Sequence, residues 1–243
     1  LRYLDALRVV ATVVFALSTH SAATNESSAV ALQPDNFPGA AFASADLNSN
    51  KLYRIDSARS DIVIRVYRAG LMQRLGHDHI VASRHLQGYV LLKDDAGTAD
   101  ACRATFFVPL AALIVDDPAL REQANLTTKP SPASIAGTKR NMLLSLDAEV
   151  FPFVHLTSTN CSPGLNSGPV TTFLTLHGVT REQTLQATLI KIDGNTLQLE
   201  GDFSLHQSDF GITPFSVMNG LLKVQDKLDL SYHLVAKRVY EAE

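Results

Sequence analysis

The chain has 243 residues, enough for one large domain or two small ones, and 46% of them are hydrophobic against 19% charged. This composition supplies a full hydrophobic core and excludes a chain that is disordered throughout. The formal net charge of −3 argues against a nucleic-acid-binding protein, which needs a concentrated basic surface.

The first 23 residues have the layout of a secretory signal peptide. Arg2 and Arg8 precede a short apolar run at 9–18, and small residues follow at 21–23. The run is about half as long as the roughly 20 residues of a membrane-spanning helix. We therefore expect residues 1–23 to be a signal peptide and the protein to be periplasmic or secreted. A buried or uncleaved anchoring helix is the alternative.

Residues 24–50 are rich in Ala, Ser, Asn and Pro and show no periodicity, which predicts a flexible tether. Residues 51–240 then predict a single β domain with a helical insert. Alternating strands precede the insert, and Pro118 marks the start of the first of its two helices. More strands follow, with a hairpin turn at 193–195. We predict an all-β fold, a closed antiparallel barrel that could hold one small ligand.

Apolar side chains recur at every second position of the predicted strands, so they share the inner face of the barrel. This interior stripe consists of Ile64, Val66, Phe106, Val108, Leu230, Tyr232 and Leu234. Periodicity does not tell a packed core from a cavity, because both require apolar side chains facing inward.

Two cysteines, Cys102 and Cys161, fit an oxidising compartment. If strands at 101–110 and 153–161 pair antiparallel across the helical insert, the two residues lie opposite each other. The sequence therefore predicts a disulfide between them.

The segment LGHDHIV places His77 and His79 on one face of an extended chain, where they could ligate one metal ion. A third ligand would come from His85, His206 or Asp209. The alternatives are a polar turn in which Asp78 accepts backbone hydrogen bonds, a contact with a ligand headgroup, and an acid–base role. The sequence alone leaves these interpretations open.

Four segments together resemble the YceI-like family, in the order in which that family has them. They are LYRIDSARSDIVIRV, LDAEVFPFVHLTS, LTLHGVTREQTL and FSLHQSDFGI, and the resemblance extends from Leu52 to Arg238. It implies a lipocalin-like antiparallel barrel in an exported protein, with an elongated apolar cavity for a polyisoprenoid, a quinone-like lipid or a similar amphiphile. The segment LGHDHIVASRHLQG and the long tether depart from the commoner family pattern.

The segment HQSDFGITPF contains His206, Ser208 and Asp209, but residues so close in sequence do not form a hydrolase triad, which the fold assembles from separate segments. We interpret it as a turn at the barrel rim. The resemblance implies that it closes the barrel near the mouth, where His206 and Phe215 would face the ligand. Arg140, beside Lys139 in the insert, could meet an anionic headgroup or lie on a solvated helix face.

The leading hypothesis is a non-enzymatic lipid carrier, and the sequence leaves a homodimer open. A metal-binding protein that uses His77 and His79, and a hydrolase or isomerase acting on a bound amphiphile, are the alternatives. The predicted ligand contacts are Ile64, Val66, His77, His79, Phe106, Val108, Arg140, His206, Phe215 and Tyr232.

Overall fold

The structure is a computed structural model that describes residues 34, 37, 39, 42, 45–47, 50–93, 102–161 and 167–240. The predicted signal peptide at 1–23 lies outside the described residues, as does most of the predicted tether at 24–50. No helix in the described part of the chain is long and apolar enough to cross a membrane.

Strands dominate the described residues, and the two helices of the insert lie between the sixth and seventh strand. The helices are α1 (Pro118–Gln123) and α2 (Pro132–Ser145). The strands are β1 (Asn50–Ile55), β2 (Asp61–Ala69), β3 (His79–Ser83), β4 (Gln87–Lys93), β5 (Cys102–Pro109), β6 (Ile114–Val115), β7 (Phe153–Asn160), β8 (Ser167–Leu176), β9 (Val179–Ile192), β10 (Thr196–His206), β11 (Ser216–Val217) and β12 (Leu222–Arg238).

The sheet closes into an antiparallel barrel of eight strands, which confirms the predicted fold class. Its ring runs β1–β4–β5–β7–β8–β9–β10–β12, and the pairing of β1 with β12 completes it. Strand β2 pairs with the same edge of β12 as β1 does, but further toward the start of β12. Strand β3 pairs with β2, and β6 pairs with β3. At the other end of the barrel, β2, β3 and β6 therefore continue β1, β4 and β5 in the same order.

Ser60 stabilises the break between β1 and β2. Its buried hydroxyl donates to the carbonyl oxygen of Val235 at 3.2 Å and accepts from the amide of the same residue at 2.9 Å. A side chain thus supplies the hydrogen bonds that a neighbouring strand would otherwise give to β12.

The first helix of the insert begins at Pro118, as its sequence signals predict, and both helices have side-chain caps. Asp117 caps α1 by accepting from the amides of Ala119 and Leu120, and Ser131 caps α2 through the amide of Ser134. Each cap is followed by a proline at the first helical position, where the missing N–H costs nothing. Helix α2 then packs against β6.

The predicted disulfide is confirmed. Strands β5 and β7 are antiparallel neighbours, and a bond joins Cys102 to Cys161 with their Cα atoms 4.9 Å apart. The cysteines lie at the end of the barrel at which β12 terminates, away from the end formed by β6 and α2.

Two aromatic side chains from the second half of the predicted tether pack on the outer face of the barrel. The ring of Phe37 lies 4.6 Å from that of Phe107, and the ring of Phe42 lies 5.8 Å from that of Tyr89. Both phenylalanines are buried. These residues of the segment 24–50 are therefore held by aromatic contacts with β4 and β5.

Candidate functional site

The barrel contains a cavity of about 390 Å³. Every strand of the eight-membered ring except β1 contributes to its lining, and helix α2 completes the wall. The lining side chains are predominantly Leu, Val, Ile and Phe. A cavity of this size and apolar character is typical of a small-molecule site.

The predicted interior stripe faces this cavity. Its members Ile64, Val66, Phe106, Val108, Leu230, Tyr232 and Leu234 all belong to the lining. The alternation in the sequence thus identified the inner face, and the structure shows that this face surrounds a cavity.

Of the other predicted contacts, His79 and Phe215 also line the cavity. His77 lies beside His79, with ring centroids 4.5 Å apart, but outside the lining. Arg140 and His206 are exposed and lie outside the lining as well. Their contact with a ligand stays a prediction.

Several polar side chains in the lining form hydrogen bonds with backbone carbonyl oxygens. Because their donors are used in this way, this part of the cavity is effectively apolar. Burial raises the pKa of Tyr232 to about 12, so its hydroxyl stays a neutral donor. Four lining side chains donate to carbonyl oxygens, Ser158 to Thr171, Thr172 to Gln183, Gln207 to Gln225 and Tyr232 to Gln186.

Helix α2 contributes a polar stripe that is not bonded in this way. Thr138, Asn141 and Ser145 are spaced by three and four residues, so they share one helix face, and all three line the cavity. Within the described part of the chain these side chains have no hydrogen-bond partner, so a polar group of a bound molecule can use them.

A second polar group lies where β3 begins. The Nδ1 atom of His79 lies 2.6 Å from Oδ2 of Asp116, and the Nε2 atom of His77 lies 4.0 Å from the same oxygen. A ligand atom from each of these three residues lies within 4.8 Å of the other two. Oδ2 of Asp116 thus faces Nδ1 of His79 and Nε2 of His77.

Asp116 is held on its other side by a buried arginine. Its Oδ1 accepts from Nη1 of Arg121 at 2.5 Å and from the amide of Ile80 at 3.1 Å. Arg121 also donates to the carbonyl oxygens of Asp78 and Thr128. Both members of this ion pair are almost completely buried, so the hydrogen bonds fix the position of Oδ2.

These contacts shift two pKa values. Burial and the neighbouring His79 lower the pKa of His77, which favours its neutral form. Burial alone would raise the pKa of Asp116, but the hydrogen bonds from His79, Ile80 and Arg121 outweigh it and hold this pKa below its ordinary value. The cluster therefore contains a carboxylate and a neutral imidazole, which are metal-binding forms.

Sequence reasoning missed Asp116 and expected His85, His206 or Asp209 as the third ligand. The two-residue strand β6 pairs with β3 and carries Asp116 to a position beside Ile80, with its amide 2.7 Å from the carbonyl oxygen of that residue. A strand of two residues has no detectable periodicity. The available signal was an acid between the pair Ile114–Val115 and the helix cap Asp117.

The polar-turn interpretation of Asp78 is borne out. Its Oδ1 accepts from the amide of Arg68 at 3.0 Å, and the guanidinium of Arg68 donates to the carbonyl oxygen of Gly76. These bonds tie the loop before β3 to the end of β2 and so hold His77 close to His79.

Comparisons with known proteins agree with the architecture. A family model described as the YceI-like domain matches residues 53–236. BcnA of Burkholderia cenocepacia is 20% identical over 74% of this chain and 98% of its own, with a TM-score of 0.50. A polyisoprenoid binding domain from Saccharophagus degradans, implicated in plant cell wall breakdown, is 12% identical over 77% of this chain and 98% of its own, with a TM-score of 0.52. No curated protein matches the sequence.

Proposed function

The chain belongs to the YceI-like family, and on that basis we propose that it is an exported carrier for a polyisoprenoid or a similar amphiphile. The observation that carries the proposal is the apolar cavity of about 390 Å³ inside the closed barrel. The polyisoprenoid binding domain of Saccharophagus degradans shares this fold, and its ligand class suits the apolar lining of the cavity.

The lining favours a hydrocarbon tail over a polar molecule. Each methylene group moved from water into an apolar site contributes about 0.8 kcal/mol. Because Ser158, Thr172, Gln207 and Tyr232 already donate to backbone carbonyls, a tail that covers them breaks no hydrogen bond. A long chain is thus bound without any specific polar contact.

We propose that the polar end of the amphiphile binds apart from its tail, at polar side chains of the cavity wall. Thr138, Asn141 and Ser145 of α2 supply donors and acceptors at the cavity wall, and His79 adds an imidazole. Helix α2 packs on β6, the strand that leads directly to Asp116, so the stripe and the imidazole belong to the same end of the barrel. We place the headgroup between them.

Export rests on two features of the chain. Residues 1–23 have the order of segments found in secretory signal peptides, and the disulfide between Cys102 and Cys161 is stable in an oxidising compartment. Expression of the full chain in a bacterial host followed by N-terminal sequencing tests this directly. We expect periplasmic protein that begins near Ala23, and cytoplasmic protein that keeps its first 23 residues would contradict export.

Lipid uptake tests the carrier function. Purified, delipidated protein is incubated with phosphatidylcholine vesicles that contain a polyprenol, separated from them by flotation, and extracted for mass spectrometry. We expect about one polyprenol per chain, and vesicles with a straight-chain alcohol of equal carbon number give the preference for the isoprenoid. Protein recovered without either alcohol would overturn the proposal.

A further inference from the structure

Three potential metal ligands converge beside the cavity, at the start of β3. We propose that His77, His79 and Asp116 bind a divalent transition-metal ion of the zinc class. Zinc is bound by imidazole nitrogen and carboxylate oxygen at about 2.0–2.2 Å, which places the ligand atoms of a tetrahedral ion roughly 3.3 Å apart. The three ligand atoms already lie within 4.8 Å of one another, so small side-chain movements bring them to this spacing.

His77 provides an independent reason to place an ion here. Its Nε2 atom is buried and has no hydrogen-bond partner in the described part of the chain. The 4.0 Å to Oδ2 of Asp116 is too long for a hydrogen bond. A buried polar atom without a partner costs free energy, and an ion between His77 and Asp116 supplies the missing partner.

The surroundings hold the ligands in place. Arg121 and the amide of Ile80 occupy Oδ1 of Asp116, so Oδ2 is the oxygen that faces both imidazoles. Outer contacts of this kind orient metal ligands and are part of the architecture of metal sites. In the metal-free state a proton bridges Nδ1 of His79 and Oδ2 of Asp116, and the ion takes its place while the proton is released to solvent.

The charges of the three ligand residues and of Arg121 indicate what occupies the remaining coordination position of the ion. Arg121 neutralises Asp116, and the two imidazoles bind an ion in their neutral form, so the charge of the ion is not balanced by the protein. Three side chains leave one position of a tetrahedral ion open. His79 lines the cavity, so we assign this position to a hydroxide, carboxylate or phosphate oxygen on the cavity side.

The experiment uses the full chain without a polyhistidine tag, treated with chelator and delipidated. Isothermal titration with Zn²⁺ measures affinity and stoichiometry, and Co²⁺ reports the coordination geometry through its visible absorption. We expect one ion per chain and tetrahedral Co²⁺ absorption. His77→Ala is expected to weaken Zn²⁺ binding at least about tenfold. His85→Ala, an exposed histidine outside the cluster, is the matched control and should bind as the wild type does.

His77 is the preferred test position because its ring forms no hydrogen bond with the residues that the structure describes, so we expect its removal to leave the fold intact. Circular dichroism and thermal melting of the apo proteins verify this. Zn²⁺ should raise the melting temperature of the wild type and of His85→Ala, but not that of His77→Ala. Absence of stoichiometric binding, or equal affinity in His77→Ala, overturns the proposal. Neither result depends on lipid uptake, because the ion is titrated into lipid-free protein.

Discussion

The Oδ2 atom of Asp116 lies 2.6 Å from Nδ1 of His79, although 37 residues separate the two in the chain. Strand β6 brings them together by pairing with β3. Asp116 also pairs with Arg121 and adopts a left-handed backbone conformation with φ 53°. This carboxylate therefore connects the start of the helical insert to the wall of the cavity.

Asp116→Asn removes the negative charge and leaves the guanidinium of Arg121 buried without a counter-ion. Asparagine tolerates the left-handed conformation, so the change tests the charge and not the backbone. We expect a loss of about 3 kcal/mol in the free energy of unfolding, measured by urea denaturation. Asp117→Asn is the control, since asparagine caps a helix as well as aspartate does. An Asp116→Asn protein as stable as the control would contradict the structural role of the pair.

The disulfide closes a long loop, since 59 residues separate Cys102 from Cys161. In the chain-entropy model a crosslink over this length stabilises the folded protein by about 4 kcal/mol at 25 °C. Replacing both cysteines by alanine should lower the free energy of unfolding by up to that amount. Denaturation of the wild type in reductant should match the double variant. If reductant and the double substitution both leave the midpoint unchanged, the crosslink has no stabilising role.

Tyr232 lines the cavity, but its hydroxyl reaches across β10 to the carbonyl oxygen of Gln186 on β9. Strand β10 lies between the two and has Gly201 where the tyrosine side chain crosses it. A Cβ atom added at this position would lie 2.5 Å from the tyrosine hydroxyl oxygen. Tyr232→Phe should therefore cost about 1 kcal/mol of stability and leave lipid uptake unchanged.

Chemical denaturation and the vesicle assay measure the two properties of Tyr232→Phe separately. Tyr240→Phe, which removes an exposed hydroxyl, should change neither. Loss of uptake in Tyr232→Phe at full stability would mean that the hydroxyl binds the ligand instead of the backbone.

We predict that His177, in the turn between β8 and β9, makes the stability of the protein depend on pH. The hydrogen bond from its Nε2 atom to Asp147 at 2.9 Å raises the pKa of the imidazole above 6.5. A group whose pKa is higher in the folded than in the unfolded protein stabilises the folded state. This stabilisation is complete at pH values below the unfolded-state pKa and is lost as the pH rises through the folded-state pKa.

The wild type should thus be more stable than Asp147→Asn by about 0.5 kcal/mol near pH 5.5, and the difference should disappear near pH 9. Glu149→Gln removes another exposed carboxylate nearby and should not alter this profile. A constant difference between wild type and Asp147→Asn across this pH range would rule out the ionised pair.

The barrel could be predicted because its signals are local and repeated. Alternation in β12 identified Leu230, Tyr232 and Leu234 as interior residues, and an assumed pairing of the strands around the insert identified the disulfide. Each prediction needed only the two-residue period of a strand and one antiparallel pairing.

The candidate metal cluster could be predicted only in part. The spacing of His77 and His79 was visible, but Asp116 comes to them through a strand of two residues and a buried ion pair, neither of which leaves a periodic pattern. The cavity could not be predicted from the sequence either, because an apolar inner face is equally compatible with a densely packed core.

Native mass spectrometry of protein purified from a bacterial host is the most direct test of the proposed binding of an amphiphile inside the barrel. Ala187 faces the cavity and its neighbour Thr188 faces outward, so phenylalanine at each position adds the same ring inside or outside. We predict one bound amphiphile per chain in the wild type and in Thr188→Phe, and a clear loss in Ala187→Phe. Ligand-free wild-type protein, or equal ligand in both variants, would contradict the account.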